Sequence, residues 1–297
     1  MVANGGNDFS KGDLTMRKVL LATTALVAMS VTAAQADVSI SGNQTFEMTD
    51  DGDATSFYQD GAVTISSKTT TDSGLTLSAV YSVSTSTGSG LGDSGEGSVD
   101  DSYLDIAGEF GSIRMGNTDD ALDRMDGAVP SNWDENGNGG FAIGGKQGAG
   151  NETISFMAPA VSGISVYGFT SSEGTESGMG ANYSNGPITV VYQSGEDGTN
   201  SETLIAANIS MAGATVGFSS GDRDAAGTKT EHTSMGVKYT MGDLDVYYTS
   251  QKDGAGTKTK TALGGYYTIA PGLSAALETG DDGANNTTTY AHLQVSF

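Results

Sequence analysis

From Val38 to Phe297 the chain alternates apolar and polar residues with period two, in short runs separated by turn-forming residues. Val38, Ile40, Gly42, Gln44, Phe46 and Met48 share one face of the first run. Leu75, Leu77, Ala79, Tyr81 and Val83 share one face of a later run, and Ala291, Leu293, Val295 and Phe297 one face of the last. A period of two predicts strands, because successive side chains of an extended chain point to opposite faces. About sixteen such runs can be counted, an even number. The second face is mostly Ser, Thr, Asn, Gly and charge, which a dry core would have to bury at several kcal/mol per unpaired group. That face must therefore be wet and the apolar one must look elsewhere. The expectation is an all-β, transmembrane antiparallel barrel with an apolar exterior and a water-filled lumen, which leaves no open sheet edge in lipid.

Composition narrows the classes further. The formal charge of -23 excludes nucleic acid as a partner, since phosphate contacts need a basic surface. Cys is absent, so disulfides, thiol nucleophiles and Cys-based zinc sites are excluded. Gly is abundant at 44 while Pro is scarce at 4, which suits turns and bent strands rather than a low-complexity chain. Met16-Arg17-Lys18, the apolar run 19–31 and Ala34-Gln35-Ala36 read as a secretory signal cleaved before Asp37. Residues 1–36 are thus an N-terminal extension plus signal peptide, and residues 1–15 either a misassigned start or an extension. Residues 37–297 form the barrel domain. Tyr183, Tyr239, Tyr247, Tyr248, Tyr266 and Tyr267 lie near strand ends, as the aromatic girdles of a membrane barrel would.

One segment, 117–150, breaks the alternation. It carries Asp119, Asp120, Asp123, Asp126, Asp134 and Glu135, the single Trp133, and a Gly/Asn-rich half. A long loop without its own secondary structure is usually functional in a compact domain. Carboxylates lining a pore favour cations, so these six are candidates for an acidic constriction. The simple alternative is a solvated surface loop, and the sequence does not fix which acids point inward. Lys68, Arg114 and Lys238 are flanked by apolar neighbours on the other face, so alternation turns them toward the lumen as an opposing wall. For Arg114 a local ion pair with an acid of the following loop is the competing reading.

Other chemistry is thin. Asp134-Glu135-Asn136-Gly137-Asn138-Gly139 opens like a calcium loop, but Gly145 stands where the bidentate Glu belongs. This would make at best a weak calcium site, and no cofactor is expected. His232 and His292 are the only histidines. A barrel enzyme of the lipase or protease type would need His232, and a secreted calcium-binding β protein would need repeats that are absent. The chain is therefore not expected to be an enzyme.

Several stretches resemble a known family. Asp105-Ile106-Ala107-Gly108-Glu109-Phe110-Gly111-Ser112-Ile113-Arg114-Met115-Gly116-Asn117 resembles the segment entering the third loop of general bacterial porins. Asn151-Glu152-Thr153-Ile154-Ser155-Phe156-Met157-Ala158-Pro159 and Val161-Ser162-Gly163-Ile164-Ser165-Val166 resemble the strands leaving it. The opening Asp37-Val38-Ser39-Ile40-Ser41-Gly42 is similar to porins of alphaproteobacteria such as Rhodobacter, and Phe297 resembles their terminal aromatic. The resemblance implies a homotrimer of 16-stranded barrels in the bacterial outer membrane, each with its third loop folded into the lumen. It implies passive diffusion of small hydrophilic solutes and ions, here with a mild cation preference. It also implies contact with outer-membrane lipids and with the barrel-assembly machinery through Phe297. The chain departs from the pattern in its few basic residues, which thins the basic wall that faces the acidic loop in many porins.

Overall fold

The computed structural model describes residues 36–87, 98–117, 153–171, 174–252, 259–284 and 286–297. Sixteen strands follow one another. The first eight are β1 (Asp37–Asp50), β2 (Thr55–Thr70), β3 (Thr76–Thr87), β4 (Ser98–Gly108), β5 (Gly111–Asn117), β6 (Thr153–Met157), β7 (Ile164–Ser171) and β8 (Glu176–Asn185). The rest are β9 (Ile188–Asp197), β10 (Asn200–Met211), β11 (Ala214–Ala225), β12 (Thr228–Met241), β13 (Leu244–Lys252), β14 (Thr259–Ala270), β15 (Leu273–Asp281) and β16 (Thr287–Ser296). Each pairs antiparallel with its sequence neighbours, and β16 closes on β1. Phe297 completes the seam, exchanging two backbone hydrogen bonds of 3.0 Å with Gly42.

The alternation sorts side chains as expected. Ile40, Phe46, Leu104, Ile154, Phe218, Leu263 and Leu277 are all large, apolar and exposed on the outside. The buried set is mainly hydrophilic and lies on the opposite face, including Thr45, Glu47, Ser155, Gln193, Ser219, Ser234, Thr249 and Glu278. A soluble protein would show the reverse. Transfer of the outer face to hydrocarbon supplies the stabilisation that a soluble fold draws from its core.

Two expectations need correction. Tyr247 and Tyr266 are not girdle residues. Tyr247 is 1% exposed on the inner face and clusters with Ala276 and Tyr290, with Tyr266 packed against them. Tyr183, Tyr239, Tyr248 and Tyr267 do look outward. In the pair Tyr247-Tyr248, as in Tyr266-Tyr267, alternation allows only one ring outside. The inner face is also less uniformly polar than expected, because Tyr167, Phe169, Val191, Leu204 and Ala206 form a second buried cluster there. The inner rings lie over glycines of the next strand. A Cβ on Gly180 would sit 2.2 Å from the Tyr167 ring, and one on Gly264 would sit 2.4 Å from the Tyr247 ring. Cross-strand aromatic cover of glycine supports a bent sheet where a side chain is missing.

One rim carries the short connections 71–75, 109–110, 158–163, 186–187, 212–213, 242–243 and 271–272, together with both strand termini at the seam. The other rim is less loop-rich than the sequence pattern suggests. Its connections 198–199 and 226–227 are themselves two-residue turns. Ala226 (φ 51°) and Gly227 (φ 91°) both adopt positive φ, the geometry of a tight hairpin turn that matches strand twist. At β9–β12 the strands, not the loops, extend the wall on that side.

Candidate functional site

Among the described residues, the inner wall gathers charge along its length. Register places Lys68 of β2, Ser78 of β3, Asp105 of β4 and Arg114 of β5 in a single row that continues to Ser155 of β6. Arg114 Nε lies 3.2 Å from Asp105 Oδ2, and its guanidinium sits 4.0 Å above the Tyr103 ring. The described partner of Arg114 is thus an acid of the preceding strand, and the acids of the following loop lie outside the described residues. Lys238 of β12 lies 3.7 Å from Asp245 of β13. Lys68 is exposed, and no ion pair is found for it among the described residues. All three bases fall on the inner face, as alternation required, close to the rim of short turns.

Acids dominate the rest of the wall. Glu47 of β1 stands across from His292 of β16, and Glu278 of β15 across from Tyr290. Glu278 is fully buried, and Tyr247 Oη donates to its Oε2 over 2.6 Å. Asp60, Glu176 and Glu202 also fall on inward positions of β2, β8 and β10. Glu202 Oε1 accepts from Arg223 Nε of β11 at 2.9 Å. At the opposite rim, the N–H groups of Ala54 and Asp53 donate to Asp51, which holds its carboxyl below the usual carboxylate range. Glu47, Asp105, Glu202, Asp245 and Glu278 were missed in the sequence, although counting parity from the nearest outward aliphatic would have found each.

The six candidate constriction residues Asp119, Asp120, Asp123, Asp126, Asp134 and Glu135 lie outside the described residues, as does the calcium-like stretch 134–139. Their roots are well placed. β5 is only 7 residues long and β6 only 5. Asn117 pairs with Ser102, while β4 runs on past it to Ser98. Gly116 at the exit has φ 136° and would place a Cβ 2.2 Å from the Ser102 carbonyl oxygen, so no other residue fits there. Among the described residues no group of three or more His, Asp or Glu is arranged to hold a metal ion. His232 faces the lumen near the start of β12, with its Nε2 3.3 Å from Thr230 Oγ1.

The architecture has known counterparts. A double variant of the porin of Rh. blastica is similar at 19% identity and TM-score 0.72, covering 88% of this chain and all of its own. A triple variant of the Rhodopseudomonas blastica porin is similar at 18% identity and TM-score 0.68, with the same coverage. No match was found among curated protein sequences. A family model described as Gram-negative porin matches residues 22–287, nearly the whole chain. A closed sixteen-stranded wall that is apolar outside and charged inside is what such a protein needs, and the chain belongs to the Gram-negative porin family, diffusion channels of the bacterial outer membrane.

Proposed function

We propose that the protein passes small hydrophilic solutes and ions by passive diffusion with a mild preference for cations. We further propose that the acidic segment between β5 and β6 narrows the lumen. The observation that carries the cation preference is the charge inventory of the inner wall. Three of its bases are matched locally, Arg114 by Asp105, Lys238 by Asp245 and Arg223 by Glu202. Glu47, Asp60, Glu176 and Glu278 are additional inward carboxylates, set against Lys68 and Lys260. A low-dielectric wall with surplus negative charge concentrates cations along the path. The wall opposite the acidic segment is therefore not a basic one, and Lys68, Arg114 and Lys238 temper the field rather than reverse it.

The inward course of the acidic segment is supported by strand height. A crossing strand needs about 9–11 residues. β5 and β6 fall short of that. Just below the exit the exterior is apolar, with Met115 beside Ile154 and Leu104. Beyond the exit, Val99 of β4 is still apolar and exposed outside. Backbone leaving the sheet at this height would meet hydrocarbon on the outside, which offers no hydrogen-bond partners. The lumen does.

Homotrimeric assembly rests on the family likeness. Recognition by the barrel-assembly machinery rests on Phe297, exposed at the closing seam. The test is electrical. Purified protein in planar bilayers is expected to give stepwise conductance and a reversal potential on the cation side. Neutralising Asp119, Asp120 and Asp126 together should lower the cation/anion permeability ratio about eightfold, roughly twofold per charge about 10 Å from the ion path. Unchanged selectivity would remove these acids from the constriction, and absence of conductance steps would remove the channel reading.

A further inference from the structure

The outer ends of β10–β12 stand clear of the hydrocarbon. Their outward residues change from Ile205, Phe218 and Met235 to Thr203, Asp222 and Glu231. Thr203, Asp222 and Glu231 pair in one row, and outward carboxylates are not tolerated inside a bilayer. The inward row beside it is Gly195, Glu202, Arg223 and Thr230. Glu202 is 4% exposed, whereas Arg223, in contact at 2.9 Å through Nε, is 45% exposed. Glu202 Oε2 is buried and has no hydrogen-bond partner among the described residues. The other inward titratable groups on the neighbouring strands are Glu176 of β8, Asp197 of β9 and His232 of β12.

We propose that Glu202 and Arg223 form a proton-sensitive charge gate at the outer mouth, which sets how strongly the channel favours cations. Burial pushes the Glu202 carboxyl up to about 7, with Arg223 opposing the shift. Above that pH the carboxylate is ionised and cancels the arginine. Below it Glu202 is neutral, and the exposed Arg223 presents an uncompensated positive charge to every entering ion. A unit charge about 10 Å from the ion path, screened by salt, changes the ratio of cations to anions there about twofold. The outcome is a channel whose cation preference weakens as the exterior acidifies. The gate deepens the cation-preferring reading above and rests on it for the baseline, not for the sign of the step.

The experiment is the reversal potential of the intact protein in planar bilayers under a KCl gradient, at pH 8 and pH 6. The step is read as wild type against variants. Wild type should lose about twofold in cation/anion permeability ratio on going to pH 6. Glu202→Gln should hold the acid-side value at both pH values. Arg223→Gln should also lose the step, but hold a value at or above the alkaline one. Retained heat-modifiable migration of both variants confirms that they fold. A full step in Glu202→Gln, or displacement of both variants in the same direction, overturns the gate. A wild type without cation preference at either pH would overturn the baseline reading instead, while the opposite displacements of the two variants stay measurable.

Discussion

The barrel wall is low at β5–β6 and tall at β9–β12, and the two regions treat the same problem differently. β5 and β6 have 7 and 5 residues, and the chain between them takes 35 residues to return. β11 and β12 have 12 and 14 residues and are joined by two. Where strands outlast the hydrocarbon, the chain reverses in water with a minimal turn and every backbone group remains paired. Where they stop within it, reversal into hydrocarbon would leave backbone groups without hydrogen-bond partners.

That contrast can be broken most directly at the outer face. Leu104→Arg places a charge on the low wall at hydrocarbon height and should cost about 2–4 kcal/mol, whereas Asp222→Arg on the tall wall should cost about 0–1. Denaturant unfolding in lipid vesicles measures both, and equal costs would mean that the two walls stand at one height. Gly116→Ala should cost about 1–3 kcal/mol, because both its φ and the Ser102 carbonyl oppose a side chain. Gly227→Ala at the tall-wall tip meets nothing within 4 Å and should cost about 1 kcal/mol from φ alone. The comparison is sharpened by thermal unfolding of the pair, where the low-wall variant should melt first. The smallest effect is expected at the same tip. Ala226→Asn should stabilise by about 0.5 kcal/mol, since Asn tolerates the positive φ that Ala226 adopts.

Much of this was legible in the chain. Alternation alone gave an even set of strands with Val38, Ile40 and Phe46 outside and Lys68, Arg114 and Lys238 inside. The girdle reading failed at the doublets Tyr247-Tyr248 and Tyr266-Tyr267, because it counted both rings where alternation allows only one outside. Alternation was silent on partners. Arg114 next to Asp105, Arg223 next to Glu202 and Lys238 next to Asp245 are pairs across strands.

The sequence by itself determined which face of each strand meets lipid, because period two is a property of a single extended segment. It also determined where the pattern lapses, at 117–150. Only the closed sheet decided the register between strands, and hence which charges neutralise one another. Only the closed sheet decided the height at which each strand ends. Both are relations between neighbouring segments, fixed when the sixteenth strand closes on the first, and no single stretch of chain contains them.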